Sequence, residues 1–162
     1  MSSSQYTKPT KRRRNKTADI EHQMQVAQID WCEWQGLVWP ELRSIYGVPN
    51  QGKRSIQGYG RMTAEGLKKG QWDLCLPVPK RGFGALYVEN KTPDMKKSKL
   101  SPKQIERGEL LELVGNLCYV IRFFEDFKTL LTWYLEHEDP IHQEVFSRGE
   151  LWEFERGAEL PY

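Results

Sequence analysis

Two carboxylates and a lysine are the side chains of this sequence best placed to do chemistry together. Glu89 and Lys91 stand two apart at the end of the run Ala85-Leu86-Tyr87-Val88-Glu89-Asn90-Lys91. In a strand they point to one face and Asn90 to the other. Asp73 opens a second strand-like run, Asp73-Leu74-Cys75-Leu76-Pro77-Val78, and the short glycine-bearing link from Pro79 to Gly84 pairs the two runs as a hairpin. Asp73 then approaches Glu89 across a strand spacing of roughly 4.8 Å. Carboxylates so close repel each other unless a cation lies between them, and an all-oxygen donor set favours Mg2+ or Mn2+ over Zn2+. Such an ion would polarise a phosphate ester and acidify a water beside it. Lys91 would orient that water or meet charge building on the phosphate. The triplet Glu-x-Lys by itself is weak, since 16 Glu and 13 Lys make about one such triplet by chance. The plainer reading is an exposed pair at a strand end, with Asp73 capping a turn. Position favours the chemical one, because a strand with a buried face normally reserves that face for packing.

Four ordered segments carry a resemblance. They are Pro49-Asn50-Gln51-Gly52-Lys53-Arg54, Gly66-Leu67-Lys68-Lys69-Gly70-Gln71-Trp72-Asp73-Leu74, Leu86-Tyr87-Val88-Glu89-Asn90-Lys91 and Leu100-Ser101-Pro102-Lys103-Gln104. Together they resemble the VRR-NUC family, a branch of the PD-(D/E)xK nucleases, over about residues 19–136. The resemblance implies that Asp73, Glu89 and the main-chain carbonyl of Asn90 bind metal and that Lys91 is the catalytic lysine. It also implies that Glu21 faces the centre from an N-terminal helix and that Gln104 supports it. Stand-alone viral and bacterial members, so the resemblance implies, act as homodimers on branched DNA such as four-way (Holliday) junctions. Two departures stand out: Trp72 where Pro often precedes the Asp, and Asn90 where an apolar residue is common.

Each of these residues also has a bland reading. Glu21 would be an ordinary acid near a helix N-terminus. Gln104 would close a capping box, a role compatible with the first. His22 would be a surface or packing residue rather than a partner for metal or water. Lys53, Arg54, Lys68 and Lys69 would clamp DNA phosphates near the cleft, or merely decorate a solvated loop. Trp31, Trp34 and Trp39 could stack bases, but their helical spacing points to core or interface.

The elements that must position these groups can be read from periodicity and punctuation. The spacing of Ile20, Met24, Ala27 and Trp31 predicts an amphipathic helix over 19–35, capped by Thr17 or Asp19. A short strand is expected over 43–48, a loop over 50–61 and a short helix over 61–68. After the hairpin strands, 73–78 and 85–91, the sequence Ser101-Pro102-Lys103-Gln104 has the form of a capping box with Pro at the first helical position. That helix should run to about Val114, with Leu110, Leu113, Val114 and Leu117 on its apolar face, and end at Gly115. A buried strand over 118–124 and a last helix to about 136, marked by Phe127, Leu130, Leu131 and Tyr134, complete an α/β, restriction-endonuclease-like core: a small mixed sheet flanked by helices.

Composition bounds the rest. The 162 residues suit one domain, read as a basic disordered arm (1–17), the nuclease-like domain (18–137) and an acidic, aromatic extension (138–162). The arm carries Lys8, Lys11, Arg12, Arg13, Arg14 and Lys16 and no acid. Residues 50–103 hold twelve Lys and Arg against four acids, whereas 136–162 hold eight acids against Arg148 and Arg156. Positive charge gathered around the middle suits a polyanion such as branched or duplex DNA, held by counterion release. No apolar run approaches the ~20 residues needed to cross a bilayer. Cys32, Cys75 and Cys118, odd in number and set in apolar stretches, fit reduced buried thiols in a cytosolic protein, and the resemblance to stand-alone VRR-NUC members implies the cytoplasm of a bacterial or phage-infected cell. The function expected is metal-dependent DNA cleavage. The alternatives are a non-catalytic DNA-binding module that recruits a partner, a monomeric flap or single-strand nuclease, and an interaction protein working through its acidic extension.

Overall fold

A computed structural model describes residues 16–48, 56–136 and 152–153. Helix α1 (Lys16–Gln35) leads through a 3-10 turn (Pro40–Ser44) to strand β1 (Tyr46–Gly47). Helix α2 (Ile56–Ala64), the hairpin strands β2 (Leu74–Leu76) and β3 (Leu86–Asn90), and helix α3 (Pro102–Leu113) follow. Strand β4 (Leu117–Ile121), helix α4 (Phe124–Leu135) and strand β5 (Trp152–Glu153) complete the order. The strands form one sheet in sequence order. The first three pair antiparallel, and β3–β4 and β4–β5 pair parallel. This is an α/β architecture with a small mixed sheet flanked by helices. Of the expected arm (1–17), residues 1–15 lie outside the described residues, as does most of the extension, while Lys16 and Thr17 open α1. Within the extension, Trp152 and Glu153 return to the sheet beside Tyr119 and Val120.

The two sheet faces divide the core. Leu74, Leu76, Leu86, Val88, Leu117, Tyr119 and Ile121 meet Phe127, Leu130, Leu131 and Tyr134 of α4, with Cys32 of α1. The four α4 residues are fully buried, as their spacing predicts. On the opposite face Trp72, Cys118 and Val120 pack with Tyr87, Leu100 and Leu111 beneath α3. All three cysteines are free and buried.

Hairpin register follows from its tip. Lys80 and Phe83 exchange main-chain hydrogen bonds at 3.1 and 2.9 Å around Arg81 and Gly82. Both central residues have positive φ, 53° and 80°, the requirement of the tight turn that matches strand twist. Arg81 accepts this conformation while its guanidinium stacks 4.0 Å from the Trp133 ring centroid and its Nε donates to the Trp133 carbonyl at 2.7 Å.

Several sequence expectations need correction. α1 begins at Lys16, so Thr17 and Asp19 lie inside it rather than capping it. Its inward face matches the expected apolar stripe only in part: Trp31 packs on the core and Met24 is half-buried, but Ile20 and Ala27 are exposed while Gln28 and Cys32 are fully buried. The strand expected over 43–48 is mostly the 3-10 turn started by Pro40, with two residues of strand after it. α2 spans 56–64, earlier than the expected 61–68 and overlapping the expected loop. On α3, Leu110, Leu113 and Val114 are exposed, Leu117 belongs to β4, and Gly108, Leu111 and Glu112 turn inward. The buried strand covers 117–121 rather than 118–124. Of the three tryptophans grouped together, Trp31 and Trp39 pack on the core, Trp31 edge-on to Phe127 at 6.0 Å. Trp34 is 77% exposed.

Candidate active site

The β2–β3 register pairs Leu74 with Val88. Continued by one residue, it sets Asp73 opposite Glu89. Asp73 immediately precedes β2 rather than opening it, and its Oδ2 accepts the Asn90 main-chain N–H at 2.8 Å. Side-chain alternation along β3 then sorts the three end residues. Glu89 and Lys91 face α3, where Lys91 Nζ donates to Glu89 Oε1 at 2.7 Å. The Asn90 side chain faces α1. Lys91 continues the ladder beyond β3 by donating its N–H to the Ile121 carbonyl at 2.9 Å. Asp73, Glu89 and Lys91 are 8%, 1% and 8% exposed. The reading of an exposed pair at a strand end is therefore overturned: these charges are carried inside the protein, where an unassisted carboxylate is costly.

Gln104 performs both roles open to it. Its Oε1 accepts the Ser101 main-chain N–H at 2.9 Å, closing the capping box of α3, and its Nε2 donates to Glu89 Oε1. Trp72, where the sequence departs from the resemblance, holds this arrangement in place. Its indole is buried beside Cys118 and Val120, and its Nε1 donates to the Gln104 carbonyl at 3.1 Å. The residue before Asp73 thus ties β2 to the first turn of α3.

α1 reaches the site from the other side through a polar line. Glu21, Gln25, Gln28 and Cys32 recur at helical spacing on its inner face. Gln25 Nε2 donates to the Asp73 carbonyl at 3.4 Å. Gln28 and Asn90 form a reciprocal amide pair at 2.9 and 2.8 Å. Glu21 Oε1 accepts from Ser98 Oγ at 2.8 Å, and that hydroxyl in turn accepts the Thr92 N–H at 3.1 Å. Arg122, at the end of β4, pins this segment by donating to the Thr92 and Ser98 carbonyls at 2.7 and 3.0 Å. Gln25, Gln28, Thr92, Ser98 and Arg122 are not among the residues that sequence reasoning singles out. The glutamines carry a usable signal in their spacing from Glu21, whereas Ser98 and Arg122 meet only through the tertiary fold. His22, by contrast, is exposed.

Electrostatics agree with the geometry. Burial pushes the Glu89 carboxyl up to about 8, the Asp73 charge adds to the rise, Lys91 opposes it and Glu21 reinforces it. Glu89 Oε2 is buried with no hydrogen-bond partner. Among the described residues no three His, Cys, Asp or Glu side chains gather into a ready-made metal cage. The available donors are two facing carboxylates, one with an oxygen to spare, and neighbouring main chain. That all-oxygen set fits a hard divalent cation, which would relieve both the repulsion and the orphaned oxygen. The expected site residues Glu21, Asp73, Glu89, Asn90, Lys91 and Gln104 thus converge. Lys68 and Lys69 line a groove against α3 whose walls do not include the carboxylates, and Lys53 and Arg54 lie outside the described residues.

The amide pair offers a direct test of how α1 supports the strand end. Gln28→Leu should cost about 1–3 kcal/mol, because it leaves the buried Asn90 amide unsatisfied. Gln28→Leu with Asn90→Leu should recover much of that loss, since removing both partners also removes the orphan. Urea unfolding of both single variants, the double variant and the parent checks this, and strictly additive losses would mean that the pair contributes nothing.

No protein-family model and no curated protein matches the sequence. Among solved structures, the chain superimposes on one described as a VRR_NUC domain protein, with a TM-score of 0.58 and 21% sequence identity. The match covers 72% of this chain and 88% of the other. At that identity the likeness speaks for the fold. The α/β core carrying the Asp73–Glu89–Lys91 cluster is a restriction-endonuclease-like core, shared at a distance with that VRR_NUC domain protein.

Proposed function

We propose that this chain is a divalent-metal-dependent endonuclease that hydrolyses DNA phosphodiesters at Asp73, Glu89 and Lys91. The observation that carries the reading is the partnerless, buried Oε2 of Glu89, a residue set opposite Asp73 and beside a buried lysine, on a fold shared with a VRR_NUC domain protein. Asp73, Glu89 and the Asn90 main-chain carbonyl would hold Mg2+ or Mn2+. When bound, the ion supplies charge stabilisation for a phosphate and lowers the pKa of a water. The chain's own groups do the positioning. The amide pair with Gln28 fixes the Asn90 side chain on the α1 side, away from the carboxylates. Gln104 and Lys91 both hold Glu89 Oε1, which leaves Oε2 for the cation. Lys91 then stands where its ammonium can turn toward an oxygen gaining charge in the transition state. Glu21, fixed by Ser98, adds negative potential that favours a cation over none.

The finer reading is a two-fold homodimer acting on branched DNA such as four-way junctions. One chain offers one such centre, and paired incision needs two, which two-fold symmetry supplies. Exposed Trp34, Leu37 and Val38, 77%, 78% and 66% exposed, form an apolar surface suited to a second copy. The test is a cleavage panel of single-stranded, duplex, flap and four-way-junction DNA with and without Mg2+ or Mn2+, alongside light scattering. Metal-dependent cutting of junctions by a particle of about twice 19.1 kDa is expected. A monomer that nicks flaps would replace the junction reading with single incision, and no cleavage in either metal would overturn the nuclease.

A further inference from the structure

Beside the carboxylate cluster, on α3, lies a groove of about 250 Å³ lined by Lys68, Lys69, Lys103, Glu106, Arg107 and Leu110. Four cations and one anion meet there. The lysine pair reaches α3 because the turn after α2 is built to approach it closely. α2 closes at Gly66, where the Gly66 N–H donates to the Thr63 carbonyl at 3.1 Å and the Leu67 N–H to the Met62 carbonyl at 2.8 Å, a helix-ending pattern that turns the chain sharply. At Gly70 the chain has a φ of 78° and passes so near the first turn of α3 that an added Cβ would lie 2.3 Å from the Lys103 carbonyl oxygen. Only glycine fits that approach. Lys68 and Lys69 are therefore set against Lys103 and, one helical turn further, Arg107.

The single acid does not neutralise the groove. Glu106 pairs with Lys103 at 2.7 Å, but both side chains are more than 60% exposed. A surface pair of this kind is weak and exchanges readily for a competing anion. Lys103 also precedes Gln104, the residue that reaches Glu89, and Arg107 follows it by one turn on the same helix. The helix that walls the groove therefore also carries the residue that reaches Glu89.

We propose that this groove is a subsite for the phosphodiester backbone of the DNA substrate, with Lys68, Lys69, Lys103 and Arg107 on its phosphates. The proposal rests on the nuclease reading for the identity of its ligand. It gives the groove the task of tracking the strand outside the scissile position, and it carries no sequence preference because the groove meets only phosphate.

Lys68→Ala/Lys69→Ala and Lys103→Ala/Arg107→Ala, with Lys80→Ala/Lys128→Ala as a control of equal charge change, separate the possibilities. Binding of a fluorescent DNA duplex is followed by anisotropy without divalent metal across a salt series. Each groove double should bind duplexes of different sequence uniformly more weakly and lower the slope of log K against log salt by about 1.8, roughly 0.9 for each phosphate that is no longer neutralised. The control should leave the slope in place. In Mg2+, the half-saturating DNA concentration for single-turnover cleavage should rise in each groove double and stay at the parent value in the control. A wild-type slope in both groove doubles overturns the subsite even if the protein cuts DNA. A slope that falls as expected in a protein that cuts nothing upholds the subsite and rejects the nuclease. A slope lowered equally by the control overturns the subsite in favour of diffuse surface charge.

Discussion

Asp73→Asn should lower DNA cleavage by about a thousandfold or more, the scale on which several kcal/mol of metal-supplied stabilisation acts. The same variant should keep its fold and its affinity for DNA. The substitution removes one negative charge from a pair of facing carboxylates but leaves an amide oxygen able to accept the Asn90 N–H, as Asp73 Oδ2 does at 2.8 Å. The strand end therefore keeps its hydrogen bond while the cation loses a ligand. Glu89→Gln should be equally inactive, because it takes the other facing carboxylate from the cation. Lys91→Ala should slow the chemical step with less effect on metal affinity. DNA affinity should survive Asp73→Asn because the basic groove proposed to hold the phosphates does not include Asp73. Single-turnover cleavage in Mg2+, with duplex binding measured separately, decides the matter. An Asp73→Asn protein that cut at the parent rate would place the centre elsewhere.

The hairpin is legible in the sequence, whereas the inward faces of the helices that flank the site are not. Strand alternation and a short glycine-bearing link suffice to bring Asp73, Glu89 and Lys91 together, since register carries each residue of a pair to a definite partner. The capping box at Ser101 and Gln104 is equally plain in the sequence, and the structure adds that the same Gln104 reaches Glu89. α4, which only packs, follows its pattern residue by residue, because the inward positions that its spacing marks are apolar or aromatic. α1 does not, and the reason is physical. Periodicity detects a helix face by its hydrophobicity, but the inner face of α1 presents Glu21, Gln25 and Gln28 to the strand ends. A helix that serves a polar site looks out of phase to a rule that expects apolar burial.

α3 misleads in the same way. Gly108 and Glu112 are buried, while Leu110, Leu113 and Val114 lie in the open. Here the inward face mixes Gln104, Gly108, Leu111 and Glu112, so that Gln104 reaches Glu89 while Leu111 packs on Cys118 and Val120. Ser98 and Arg122 leave no local trace at all: they meet 24 residues apart, and their pairing exists only once β4 has been laid beside β3. Trp72 stands out as a departure from the VRR-NUC resemblance without disclosing its use. Its indole N–H fixes the carbonyl of the very residue that reaches Glu89.

Without metal, the protein should lose stability as pH rises from about 5 to about 8, and Mg2+ or Mn2+ should restore it far more at pH 8 than at pH 6. Glu89 has an ordinary value of 4.5 and is pushed up to about 8 in the folded chain, first by burial and then by Asp73. Between those values the folded protein holds a proton that the unfolded chain has released. The native state then binds more protons, so stability falls with rising pH across this window and levels off above it. The full effect is on the order of a few kcal/mol. Glu112, raised to about 7 by burial and Glu109, titrates in the same direction, so Glu89→Gln should reduce this pH dependence without abolishing it. The metal response separates the two groups. A cation binds the ionised pair and competes with the proton on Glu89, so its stabilisation grows as that proton leaves. Thermal melts at pH 6 and pH 8, with EDTA or with Mg2+ or Mn2+, should therefore show a larger metal-induced rise at pH 8 in the parent and none in Glu89→Gln. An equal rise at both pH values, or one that persists in Glu89→Gln, would mean that the ion binds away from Asp73 and Glu89.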